Sequence, residues 1–100
     1  MRVYISGPIT GVPEYESLVA FNEVEDRLVK AGFTAVNPRR TSSWGLTWDT
    51  YMKIAREILY SGEIDAVVML KGWKESRGAV YEWRVAQFLG IQVIYWGGKE

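Results

Sequence analysis

Residues Ala66–Leu70 (AVVML) are apolar without interruption, bounded by Asp65 and Lys71. A strand with one wet face alternates polar and apolar side chains. An unbroken apolar run this short is instead expected of a central strand in a parallel sheet, covered on both faces. That expectation constrains the rest of the chain, because parallel neighbours can be joined only by crossovers of a dozen or more residues.

The crossovers are legible. Short β-rich runs at Arg2–Ser6, Phe33–Val36 and Ile91–Trp96 alternate with amphipathic stretches at Pro13–Lys30 and Trp48–Tyr60 and with the segment after Ser76. Gly32, Gly62 and Gly90 stand where these helices should stop. Neither an internal repeat nor a low-complexity linker interrupts the order βαβαβαβ. The pattern predicts an α/β fold: a Rossmann- or flavodoxin-like doubly wound parallel sheet of about four strands, order 2-1-3-4, with helices on both faces. One domain over residues 1–100 is expected from the length. Strand order reverses between the first and third strands, so the ligand crevice should open there. The loop Gly7-Pro8-Ile9-Thr10-Gly11 would then face the loop from Trp73 to Gly78.

The last helix holds an oddly placed carboxylate. Val85, Ala86 and Leu89 form its apolar stripe, and stepping back three, four and seven places from them lands on Glu82. A carboxylate in line with a core stripe is costly unless it is paired or used. Helical side chains lean toward the N-terminus, so Glu82 points at Gly78 and Ala79, which leave a recess. Ser76 stands at the expected N-cap, and the unpaired N–H groups of the first turn favour an anion. Two readings fit: an anion pocket beside a carboxylate nucleophile or base, or a simple cap and a partly exposed helix glutamate.

Other candidates lie where the crevice should be. Gly7 and Gly11 would let backbone N–H groups approach a phosphate or sugar, or they are only a turn. Arg39 and Arg40, after Asn37-Pro38, suit bidentate phosphate binding or a solvated loop. Thr41–Thr47 is long enough for a lid, and Trp44 and Trp73 are candidate platforms for a stacked base. Glu57, four residues after Lys53, reads as a surface ion pair.

Composition narrows the chemistry. With neither cysteine nor histidine, thiol catalysis, imidazole acid–base chemistry and the usual zinc sets are excluded. Neither a metal nor a cofactor is expected. Twelve basic and twelve acidic residues balance, so no net field recruits nucleic acid or a membrane surface. No apolar run approaches the ~20 residues of a membrane span, and the start lacks the apolar core of a signal peptide, which makes the cytoplasm the expected compartment.

Three segments together resemble the nucleoside 2-deoxyribosyltransferase superfamily. Tyr4-Ile5-Ser6-Gly7-Pro8 resembles its first strand and loop, Asp65 with the following apolar run its third strand, and Ser76-x-Gly78-x-x-x-Glu82 its nucleophile motif. Asn37-Pro38 and Gly72 through Glu82 resemble a short bacterial and phage branch of it. The resemblance implies cleavage or exchange of the N-glycosidic bond of a 2′-deoxynucleoside or its 5′-monophosphate. It casts Glu82 as nucleophile, Tyr4 as the group orienting it, and Ser76 as part of a 5′-phosphate seat. Ser6, Gly7, Pro8, Gly11, Asp65, Gly78 and Ala79 would contact substrate. Glu57 stands where the family usually has an aspartate near the base or sugar. The resemblance also implies a homodimer or homotetramer. A nucleotide- or sugar-phosphate-binding module without turnover is the competing reading, and an interaction protein built on surplus tryptophans a third.

Overall fold

The apolar run becomes an inner strand in a computed structural model of the chain, in which residues 1–9, 11–41 and 47–97 are described. Strand β1 (Arg2–Ser6) leads through helix α1 (Glu14–Lys30) to β2 (Thr34–Val36). The chain continues through a short helix α2 (Pro38–Thr41) and α3 (Trp48–Tyr60) to β3 (Ala66–Met69), then a 3₁₀ turn (Trp73–Glu75), α4 (Arg77–Leu89) and β4 (Gln92–Tyr95). The strands are parallel and ordered β2-β1-β3-β4. The reversal therefore falls between β1 and β3, which are paired from Val3 with Ala66 to Ser6 with Met69.

Strand parity divides the core in two. Successive side chains of a strand point to opposite faces, so Val3 and Ile5 join Ala66, Val68 and Leu70 beneath Phe21, Val24 and Leu28 of α1. Tyr4, with Val67 and Met69, faces Met52, Ala55 and Leu59 of α3 and Ala79, Val85 and Ala86 of α4. All four residues of β3 are buried, the cover on both faces that its sequence implied. The same parity puts Tyr4 and Ser6 on the α3/α4 side, where the helix carrying Glu82 lies.

Two expected loops contain helical turns. Arg39 and Arg40 sit in α2 because Asn37 caps it, its Oδ1 accepting from Arg39 N at 2.9 Å. Pro38 follows at the first helical position, where a missing N–H costs nothing. The buried Asn37 is fixed in turn, donating from Nδ2 to Asn22 and to Glu25 at 3.1 and 2.8 Å. The loop after β3 tightens into the turn Trp73–Glu75, entered from Gly72 at φ +84°.

Gly7 continues β1 past its last pair and runs close against the loop that leaves β3. A Cβ built on Gly7 would lie 2.8 Å from Leu70 Cβ, closer than carbon atoms tolerate. Glycine is required here by space. Gly7→Ala is expected to lower stability by about 1–3 kcal/mol, the cost of overpacking a filled site, measured by urea denaturation. A loss below about 0.5 kcal/mol would show that the two segments part without strain.

Candidate active site

Ser76, itself extended, follows the 3₁₀ turn directly and caps α4, its Oγ accepting from Ala79 N at 3.2 Å. The first turn then packs against α3, where a Cβ on Gly78 would meet Met52 Sδ at 3.1 Å and Trp48 Nε1 at 3.6 Å. One turn on, Glu82 is 4% exposed. Its side chain reaches across to β1, where Tyr4 donates its phenol proton to Oε2 and Ser6 donates to Oε1 at 2.6 Å. Both oxygens are held from the sheet side.

The electrostatics follow from burial. Removal from water outweighs the opposing hydrogen bonds from Ser6 and Tyr4 and leaves the Glu82 carboxyl raised from 4.5 to about 7. The Tyr4 phenol is raised well above its ordinary value, first by burial and then by the charge of Glu82 and the bond to it. Tyr4 therefore remains a donor wherever Glu82 is ionised.

Glu82 lines a cavity of about 200 Å³ together with Gly7, Ile9, Tyr51, Ser76, Gly78 and Ala79. A wider cleft of about 1050 Å³ adjoins it through the shared Glu75 and Ser76, walled by Pro8, Gly11, Lys71, Trp73 and Trp96. Arg77 lines the smaller cavity and lays its guanidinium over the Trp48 ring at 4.0 Å. The two hollows sit at the carboxyl ends of β1 and β3, where the strand order reverses.

The fold thus brings Glu82, Tyr4, Ser6, Gly7, Ser76, Gly78 and Ala79 together, with Pro8 and Gly11 beside them. Ser6 was expected to touch substrate, but its hydroxyl is committed to the Glu82 carboxylate. Trp73 was expected as an open stacking platform. It is instead 8% exposed, stacked on Trp83 at 5.4 Å and tilted against Tyr95 at 6.0 Å. Its faces are taken by the core, and it serves the larger cleft as wall.

Three more candidates line neither hollow. Asp65 is exposed at the opposite end of the sheet, before β3, where Oδ2 accepts from Arg2 N at 2.8 Å. Four strand residues at ~3.3 Å each separate it from the cavity end. Glu57 is exposed on α3, turned away from the buried stripe Met52, Ala55 and Leu59. No ion pair joins it to Lys53 among the described residues. Arg39 points inward, its side chain 7% exposed and Nη2 3.7 Å from Glu14 Oε1. Trp44 and most of the expected lid lie outside the described residues.

Several lining residues were not singled out in sequence, Glu75 and Tyr51 among them. Glu75 lines both hollows, and Tyr51 lines the smaller. Tyr51 precedes the buried Met52 on α3, and helical periodicity alone reads it as the flank of an apolar stripe. Among the described residues, no group of three or more acidic side chains is placed to hold a metal ion, and no helix is long and apolar enough to cross a membrane.

Comparison with known proteins agrees with this architecture. A family model described as Domain of unknown function (DUF4406) matches residues 1–95. The structure described as "2-desoxiribosyltransferase from Leishmania mexicana" superposes with a TM-score of 0.60 at 18% sequence identity, over 94% of this chain. The chain spans 62% of the length of that protein, and the likeness is one of fold. No curated protein matches the chain.

The Glu82 shift has a consequence for stability. A carboxyl whose folded-state pKa is raised holds its proton more tightly when folded. Its stabilising contribution is present below 4.5 and lost as pH rises through about 7. Between pH 8 and pH 5 the wild type should gain on the order of 2–3 kcal/mol relative to Glu82→Gln, read from urea unfolding of both proteins. A constant difference across that range would refute a perturbed Glu82.

Proposed function

The chain belongs to the family described as Domain of unknown function (DUF4406), and for it we propose cleavage or exchange of the N-glycosidic bond of a 2′-deoxynucleoside or its 5′-monophosphate. The observation that carries this reading is Glu82: a buried carboxylate with both oxygens held by hydroxyl donors, at the wall of a cavity beyond the strand ends. A carboxylate so placed acts as nucleophile and charge stabiliser at an anomeric carbon, as in retaining glycosidases. It needs no imidazole. The fold likeness to a 2-desoxiribosyltransferase and the motif Ser76-x-Gly78-x-x-x-Glu82 support it.

In this mechanism a Glu82 oxygen bonds to C1′ as the C1′–N bond breaks, and the electron pair leaves with the base, which takes up a proton. The oxocarbenium-like transition state spreads positive charge over the sugar, and the carboxylate faces it. Attack by water on the glycosyl ester then gives free sugar; attack by a second base gives a new nucleoside. Either route regenerates Glu82. Tyr4 and Ser6 keep the carboxylate oriented, so little reorganisation accompanies attack. The first turn of α4, with its free N–H groups and Ser76, is the seat for a 5′-phosphate. The cavity of about 200 Å³ suits a pentose, and the adjoining cleft suits a base.

The second reading, a nucleotide- or sugar-phosphate-binding domain without turnover, is favoured by Glu57. That carboxylate faces solvent and so does not assist the leaving base. In either reading the protein works as a homo-oligomer, a proposal resting on exposed aromatic residues such as Phe88 at 80% and Tyr15 at 77%.

A thermal-shift screen over nucleosides and nucleotides, followed by chromatography of the products, separates the two. Wild type is expected to release base, and Glu82→Gln to lose release by several orders of magnitude while staying folded. A raised melting temperature with no base released by wild type supports the binding module instead. The kcat/KM of wild type should rise with pH to a plateau above about 7, as Glu82 loses its proton. Tyr4→Phe removes a bond that favours the ionised form, so it should lower the rate about 10- to 100-fold and move the acid limb upward. An acid limb that stays put in Tyr4→Phe argues that a different group titrates.

A further inference from the structure

The buried polar side chains Ser6, Ser17, Asn37 and Glu82 each have hydrogen-bond partners. Tyr51 breaks that pattern. Its phenol oxygen is shielded from solvent and has no hydrogen-bond partner among the described residues. Leaving a buried hydroxyl unpaired costs roughly 1–3 kcal/mol.

The location suggests what the hydroxyl is for. Tyr51 lines the same cavity as Glu82, close enough for the Glu82 charge to act on the phenol. It is not there to hold the carboxylate, since Tyr4 and Ser6 already occupy both oxygens. Resting on the glycosyl-transfer reading above, the displacement geometry decides between the two halves of the substrate. A nucleophile attacks C1′ from the face opposite the departing base, so groups gathered around Glu82 meet the sugar. In a 2-deoxyribosyl 5′-monophosphate the one free ring hydroxyl is at C3′. We propose that Tyr51 is a specificity-determining residue whose phenol hydrogen-bonds the sugar 3′-hydroxyl, selecting a hydroxylated ring over a 3′-deoxy one.

Burial makes this phenol a persistent donor. Desolvation first, then the Glu82 charge, raises its pKa above the ordinary value, with the Arg39 charge opposing. It therefore acts by hydrogen bonding rather than by proton transfer. A site with a buried polar group dedicated to a substrate hydroxyl rejects analogues lacking it, because the group is then left unpaired.

The test is titration calorimetry with deoxynucleoside 5′-monophosphates and their 2′,3′-dideoxy counterparts. Binding is measured to Glu82→Gln, which prevents consumption, and to the same protein carrying Tyr51→Phe. The single variant is expected to bind the deoxy compound about 10- to 100-fold more tightly than the dideoxy one. With Tyr51→Phe the two should bind alike, while the melting temperature stays the same or rises, because the lost hydroxyl had no partner among the described residues. A ratio near one in Glu82→Gln, whose folding its melting temperature checks, overturns the proposal whatever Tyr51→Phe does to the fold, as does a ratio that survives Tyr51→Phe. Selective binding combined with no base release by wild type supports the role of Tyr51 and overturns the proposed reaction alone. If no nucleotide of either kind binds, both fall together.

Discussion

A carboxylate removed from water is the constraint around which the rest of this structure is arranged. Glu82 sits in the interface between α4 and the sheet, where an unpaired charge would be prohibitively costly. Two hydroxyls from one strand, Tyr4 and Ser6, offset part of that cost by donating to its two oxygens. The arrangement works only if β1 and α4 keep their positions to within a hydrogen bond's tolerance. The buried β3, paired in register with β1 on one side and β4 on the other and leading into α4, enforces this. The residual cost survives as a carboxyl raised to about 7, so that it changes charge near neutral pH.

The same geometry explains why the hollow lies where it does. At the β1/β3 reversal the loops leaving the two strands diverge to opposite sides of the sheet, and no crossover fills the gap between their ends. Gly7, pressed against Leu70, keeps the loops close at the base of that gap. Gly78 lets the first turn of α4 lie against Met52 and Trp48, so that the helix start, its cap and Glu82 share one wall. Tyr51 comes in from α3 to close the far side.

Much of this was legible before any coordinates. Ala66–Leu70 announced the central strand because burial on both faces leaves no room for alternation. Glu82 stood out because it interrupted a helical stripe of Val85, Ala86 and Leu89. Tyr4 and Ser6 were reachable through motif resemblance, and strand parity explains why both face the same helix. The misplacements share one cause: side-chain direction depends on partners that local sequence does not name. Trp73 lies in a loop segment, yet Trp83 and Tyr95, ten and more residues away, capture its ring. Asp65 precedes the right strand but at its wrong end, and Glu57 occupies the right helix on its wrong face. Arg39 turned inward because Asn37 wound its segment into a helical turn and Glu14 lay nearby.

The order of elements, the doubly covered strand, and the coincidence of a capping serine, a small-residue turn and a carboxylate one turn later are properties of the chain read locally. Periodicity and burial cost fix them within a single element, without any distant partner. Which residues share a cavity with that carboxylate is a different matter. It is set by the crossing of α3 over α4 and by the register of β1 against β3, contacts between segments dozens of residues apart. The packing of distant segments is what commits Ser6 to Glu82 rather than to a ligand and sets Tyr51, whose phenol has no partner among the described residues, in the lining of the same hollow.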